Sequence, residues 1–149
     1  MALQVGTKAP DFTLRSTSGN DFNLSRDAAG KPIILYFYPK DFTPGCTKQA
    51  CAFRDQFDHF RELDIDVVGI STDSVKKHLD FKEKYELPFE LLADYDGKVS
   101  RAYDASMPIV NMSKRVTYLL DSEHRIKAVY ANLFGAEQHI RAMVKEVKA

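Results

Sequence analysis

The run Ile33-Ile34-Leu35-Tyr36-Phe37-Tyr38 follows the punctuation Gly30-Lys31-Pro32 and contains no charged residue. A short continuous apolar run of this kind reads as a strand covered on both faces. Directly after it the period changes. Ala50, Phe53, Phe57 and Phe60 recur at three- and four-residue spacing, which defines a helix from Cys46 to Phe60 with one apolar stripe. Ile65-Asp66-Val67-Val68-Gly69-Ile70 is the next strand. A crossover of that length cannot join an antiparallel hairpin, so the two strands run parallel.

The alternation continues. Ser71 to Ser74 offers caps for a helix carrying Val75, Leu79 and, less regularly, Phe81 and Tyr85, with Pro88 as its stop. Phe89 to Ala93 reads as a third strand, closed by Asp94-Tyr95-Asp96-Gly97, and a brief helix follows around Val99 to Tyr103. Arg115 to Leu120 and Ile126 to Tyr130 form a hairpin across Asp121-Ser122-Glu123-His124. A last helix from about Ala136 to Val147 puts Ile140, Val144 and Val147 on one face, and Asp104 to Lys114 is a loop. Upstream, Ala9 to Arg15 and Phe22 to Leu24 flank the turn Ser18-Gly19-Asn20, an N-terminal hairpin. The order predicts an α/β fold with a mixed central sheet and helices on both faces.

With 149 residues, 44% of them hydrophobic, residues 1–149 are expected to form one domain with a sizeable core. Twenty-one basic residues balance twenty-one acidic ones, which removes any global argument for a nucleic-acid or anionic-membrane partner. No stretch approaches the roughly 18 apolar residues of a membrane span, and Met1 to Gly6 has no leader character, so a soluble cytoplasmic protein is expected. Two cysteines in a reducing compartment point to catalysis, redox cycling or metal binding rather than to a disulfide scaffold.

Those cysteines, Cys46 and Cys51, both fall in the helix after the first apolar run. At about 100° per residue, the apolar stripe lies within roughly 40° of Cys46, while Cys51 falls about 140° away, beside Arg54, Asp55 and Asp58. Cys46 thus faces inward in the first turn, where outward-pointing N–H groups favour a thiolate. Cα atoms five apart on a helix are roughly 8 to 9 Å apart. A disulfide needs them within about 7 Å, so the pair can bond only if the first turns unwind. A zinc site is disfavoured, because the spacing is unusual for a ligand pair and His59, His78, His124 and His139 show no local ligand pattern beside it.

Pro39-Lys40-Asp41-Phe42-Thr43-Pro44-Gly45-Cys46-Thr47, followed by Ala50-Cys51-Ala52-Phe53-Arg54-Asp55, closely resembles the peroxiredoxin family, nearest to its bacterioferritin-comigratory-protein or Q-type branch. The likeness runs from Gly6-Thr7-Lys8-Ala9-Pro10-Asp11-Phe12 through Arg115-Val116-Thr117-Tyr118. The resemblance implies a thioredoxin-like fold and a peroxidase that uses no cofactor or metal. It makes Cys46 the peroxidatic cysteine, Thr43 a hydroxyl contact to thiolate and peroxide, Pro39 a shield of the pocket and Arg115 the arginine that approaches the sulfur. Cys51 becomes the resolving cysteine of an intramolecular Cys46–Cys51 disulfide, recycled by thioredoxin or a similar dithiol. The implied unit is a monomer, with a weak homodimer as the alternative.

Two positions depart from the branch pattern. Gln49 stands where glutamate is usual, and the segment from Ser106 to Lys114 is short and altered. Read without the resemblance, Thr43 is equally a helix cap, Pro39 a strand terminator and Arg115 an edge-strand cation. Tyr38 and Phe42 are candidates for the pocket mouth. The rival functions are a protein thiol–disulfide oxidoreductase and a redox-responsive interaction protein.

Overall fold

The computed structural model describes residues 2–131 and 136–148, with side chains of the last helix described at 138–145. Seven strands form one sheet. In chain order they are β1 (Thr13–Ser16), β2 (Asp21–Asn23), β3 (Ile33–Phe37), β4 (Asp66–Ser71), β5 (Glu90–Ala93), β6 (Val116–Leu120) and β7 (Ile126–Ala131). The helices are α1 (Leu24–Asp27), α2 (Pro44–Glu62), α3 (Val75–Tyr85), α4 (Lys98–Ala102) and α5 (Ala136–Lys148). Across the sheet the order is β2-β1-β5-β4-β3-β6-β7. β3, β4 and β5 are parallel, as the crossover lengths require, and β6 lies antiparallel to β3.

β3 is the axis of the core, and all five of its residues are buried. Its side chains alternate between two faces. Ile33, Leu35 and Phe37 pack with Leu24, Val99, Tyr103 and Tyr118 on one side. Ile34, Tyr36 and Tyr38 pack with Ala50, Phe53, Phe60, Phe81, Ile140 and Met143 on the other. Gly69 of β4 allows this second face to close: a side chain there would come within 2.7 Å of the Tyr36 ring.

Several expectations need correcting. α3 stops at Tyr85, because Glu86 turns left-handed (φ 51°) and closes the helix two residues before Pro88. Its buried side chains are His78 and Phe81, whereas Leu79 points outward. Phe57 is only half-buried on α2. On α5, Ile140 and Met143 are buried and Val144 packs beside them; the Val147 side chain lies outside the described residues. The segment before β6 folds back on itself through a bridge between Ser106 and Ser113, and its tip, Ile109, is fully exposed with φ 76°. Among the described residues, no helix is long and apolar enough to cross a membrane.

Candidate active site

The carboxyl ends of the parallel strands and the amino end of α2 meet at one place, where open α/β sheets usually carry their chemistry. β3 pairs with β6 so that Phe37 faces Val116. The residue before β6, Arg115, is therefore carried to the point where the chain leaves β3 for α2. That register brings together two residues 69 positions apart: Arg115 Nη2 donates to Cys46 Sγ at 3.3 Å. Both are buried. β6 is an interior strand, so Arg115 is not an edge-strand cation.

α2 opens with Thr43 at the N-cap and Pro44 as its first helical residue, where a missing N–H costs nothing. Cys46 is third in the helix, among the N–H groups that lack helical acceptors and attract negative charge. The regular structure thus begins before Cys46, and Pro44 and Gly45 are part of it rather than a break. Thr43 is the cap residue by position, but its side chain makes no capping bond. Its hydroxyl donates to the Lys40 carbonyl at 2.8 Å, and its own carbonyl accepts from Thr47 N at 2.8 Å. Pro39 is half-buried on the loop before the helix. Cys51 sits one and a half turns on, half-exposed, and both thiols are unbonded within one continuous helix.

The Gln49 amide oxygen accepts from Arg115 Nη1 at 2.5 Å. The arginine fork is therefore held between a neutral acceptor and the sulfur. Among the described residues, Gln49 Nε2 and the Tyr36 hydroxyl make no hydrogen bond. Burial keeps Tyr36 protonated well above the usual tyrosine range, and negative charge at Asp41, Cys46 and Cys51 pushes the same way.

Tyr38 does not line a pocket mouth. It is buried and its hydroxyl donates to Asp41, which in turn meets His78. Phe42 is partly exposed and packs edge-on against Phe81 at 5.1 Å between ring centroids. Asp41 and His78 escaped the sequence reading because they are 37 residues apart. The available signal was weak: a histidine at position 78, on the side of α3 that also carries Phe81 and Tyr85.

A buried thiol at a helix start, faced by a guanidinium on a thioredoxin-like sheet, defines a thiol redox protein. The AhpC/TSA family profile matches residues 5–129. Peroxiredoxin Bcp of Bacillus subtilis is 47% identical over 132 residues, 85% of this chain and 83% of that protein. Chloroplastic peroxiredoxin Q of Oryza sativa subsp. japonica is 43% identical over 144 residues, covering 96% of this chain; the match spans 66% of the rice protein, just under two thirds. Peroxidoxin BcpB of Mycobacterium tuberculosis superposes with a TM-score of 0.92 at 32% identity, over 98% of this chain and 97% of that one. The chain belongs to the AhpC/TSA family, the peroxiredoxins.

Proposed function

We propose that this chain reduces hydrogen peroxide and organic hydroperoxides through Cys46. The thiolate attacks the terminal peroxide oxygen and the O–O bond breaks. Water or an alcohol leaves after taking a proton, and Cys46 is left as a sulfenic acid. The first turns of α2 then unwind. Cys51 attacks the Cys46 sulfur and expels its oxygen as water, closing the intramolecular disulfide. An external dithiol of the thioredoxin kind restores both thiols by exchange. On this reading one chain of one domain works as a monomer in the cytoplasm.

The observation that carries the reading is the Arg115 donor 3.3 Å from Cys46 Sγ in a buried first helical turn. A fixed guanidinium beside the sulfur favours the thiolate over the thiol, and its positive charge stabilises the charge that develops as the O–O bond breaks. The Cys46 backbone N–H is the further donor in this scheme; Thr43, whose hydroxyl proton goes to the Lys40 carbonyl, is left to accept from the peroxide O–H, and Pro39 limits water at the sulfur. Half-exposed Cys51, on the same helix but out of bonding range, fits a resolving thiol that acts only after local unwinding.

The test is peroxide turnover with a thioredoxin system by wild type, Cys46→Ser and Cys51→Ser. Cys46→Ser is expected to be inactive. Cys51→Ser is expected to consume about one equivalent of peroxide and then stall at the sulfenic acid, visible by mass spectrometry. Turnover by Cys46→Ser, or undiminished cycling by Cys51→Ser with thioredoxin, overturns the assignment.

A further inference from the structure

Three buried polar side chains, Tyr38, Asp41 and His78, form a relay that the chemistry above does not use. His78 Nε2 lies 3.0 Å from the Leu92 carbonyl oxygen, which only accepts, so Nε2 carries a proton. His78 Nδ1 lies 2.5 Å from Asp41 Oδ2, a separation that needs one proton between them. The Tyr38 hydroxyl donates to Asp41 Oδ1 at 2.5 Å. Wherever the shared proton resides, Asp41 and His78 together carry no net charge. Among the described residues, Asp73 and, through it, Lys77 also face the pair, and buried Tyr36 lies near enough to feel the Asp41 charge.

Asp41 is also held by its backbone, whose N–H donates to Asp73 Oδ2 at 2.6 Å. Ser71 Oγ, at 3.2 Å, and Lys77 Nζ, at 3.4 Å, hold that carboxylate in turn. The next residue, Phe42, has φ 66°, a left-handed conformation that a bulky side chain rarely adopts. Such a conformation persists only where the surroundings over-determine it. Immediately after it comes Thr43, and α2 begins.

We propose that His78 is a positioning residue for the Cys46 chemistry: acting through Asp41, it fixes the Pro39–Thr43 loop in the left-handed turn from which α2 starts. The inference rests on the reading of Cys46 as the attacking thiolate. Without the relay, Phe42 relaxes toward ordinary backbone, the first turn of α2 is re-aimed, and the 3.3 Å contact between Cys46 and Arg115 is lost. The relay also lies just upstream of the residues that must unwind for the disulfide, so it gives the chain a fixed point to return to on reduction.

The test compares wild type, His78→Leu, His78→Asn and Tyr38→Phe by single-turnover oxidation with hydrogen peroxide and by the thiolate absorbance of the reduced protein at neutral pH. His78→Leu is expected to react about 10- to 100-fold more slowly and to show less thiolate. His78→Asn, whose amide N–H can stand where Nδ1–H donated, is expected to recover most of both, and Tyr38→Phe to fall between. A folded His78→Leu with wild-type rate and thiolate content overturns the proposal. So does His78→Asn as slow as His78→Leu, because ring packing rather than the hydrogen bond would then be responsible. If near-ultraviolet circular dichroism shows His78→Leu unfolded, Tyr38→Phe decides: slower oxidation supports the relay, a wild-type rate overturns it. Should wild type itself fail to consume peroxide, the peroxidase reading falls, while thiolate absorbance and the rate of Cys46 alkylation across the same variants still report on the relay.

Discussion

Gly45 stands next to Cys46 with a hydrogen where any other residue carries a carbon. A side chain there would put its Cβ 3.0 Å from Arg115 Nη2, the nitrogen that donates to Cys46 Sγ. Alanine is the better helix former by about 0.5–1 kcal/mol, so on local grounds glycine is the wrong choice. The two requirements predict a split outcome for Gly45→Ala. Thermal or denaturant unfolding should show equal or greater stability, while the guanidinium, pushed back by a few tenths of an ångström, slows peroxide reduction by about 3- to 10-fold. Loss of stability with activity intact would mean that the close approach is immaterial. Cys46 was legible from helix position and spacing alone. Arg115 was not: its place beside the sulfur follows from a strand register spanning 69 residues, and only the family resemblance pointed to it.

At the scale of elements, β3 and α2 were readable because each repeats one signal: continuous burial in the strand, a stripe one turn apart in the helix. α3 was misread, since an apolar count favours Leu79 over His78. A histidine is buried at no great cost once both ring nitrogens have partners, and those partners, Asp41 and Leu92, lie on other elements. α2 carries its own prediction. If the disulfide closes, amide exchange in the peroxide-treated protein should lose protection over about residues 44–51, where bonding geometry forbids the helix. It should persist beyond Phe53, which is fully buried and stacks on Tyr36 at 4.6 Å between centroids. Uniform protection in a protein known to be oxidised would refute local unwinding. The small helix α1 gives a second prediction. Asp11 accepts from Ser25 N at 2.9 Å and Ser25 Oγ at 2.8 Å. Burial pushes its carboxyl up, but the Ser25 backbone and hydroxyl donors outweigh it and hold the group below the ordinary aspartate value of 3.8. A carboxylate depressed on folding stabilises the fold above its unfolded titration point, and that contribution is lost as pH falls through the folded one. Asp11→Asn should therefore lie below wild type in stability above about pH 4, with the difference shrinking in more acid solution; a pH-independent difference would contradict the linkage.

The whole molecule explains why a site drawn from distant segments holds together. Leu35 and Tyr36 are neighbours on β3, yet one belongs to the layer with α1 and α4 and the other to the layer with α2, α3 and α5. The strand hydrogen-bonds to β4 on one side and β6 on the other, and Arg115 and Asp73 come from the segments flanking those two strands. Neither layer can open without stripping the cover from a strand that supports the other. The two layers are therefore expected to unfold in one cooperative step. Leu35→Ala should cost about 2–5 kcal/mol from one face and Phe53→Ala about 3–5 kcal/mol from the other. Each should lower the same single midpoint, with fluorescence and far-ultraviolet circular dichroism coinciding throughout the denaturant titration. A variant in which one signal melts before the other would show that the two layers are separately stable. In that case peroxide-driven unwinding of α2 would have to be understood as the opening of a whole layer rather than of two helical turns.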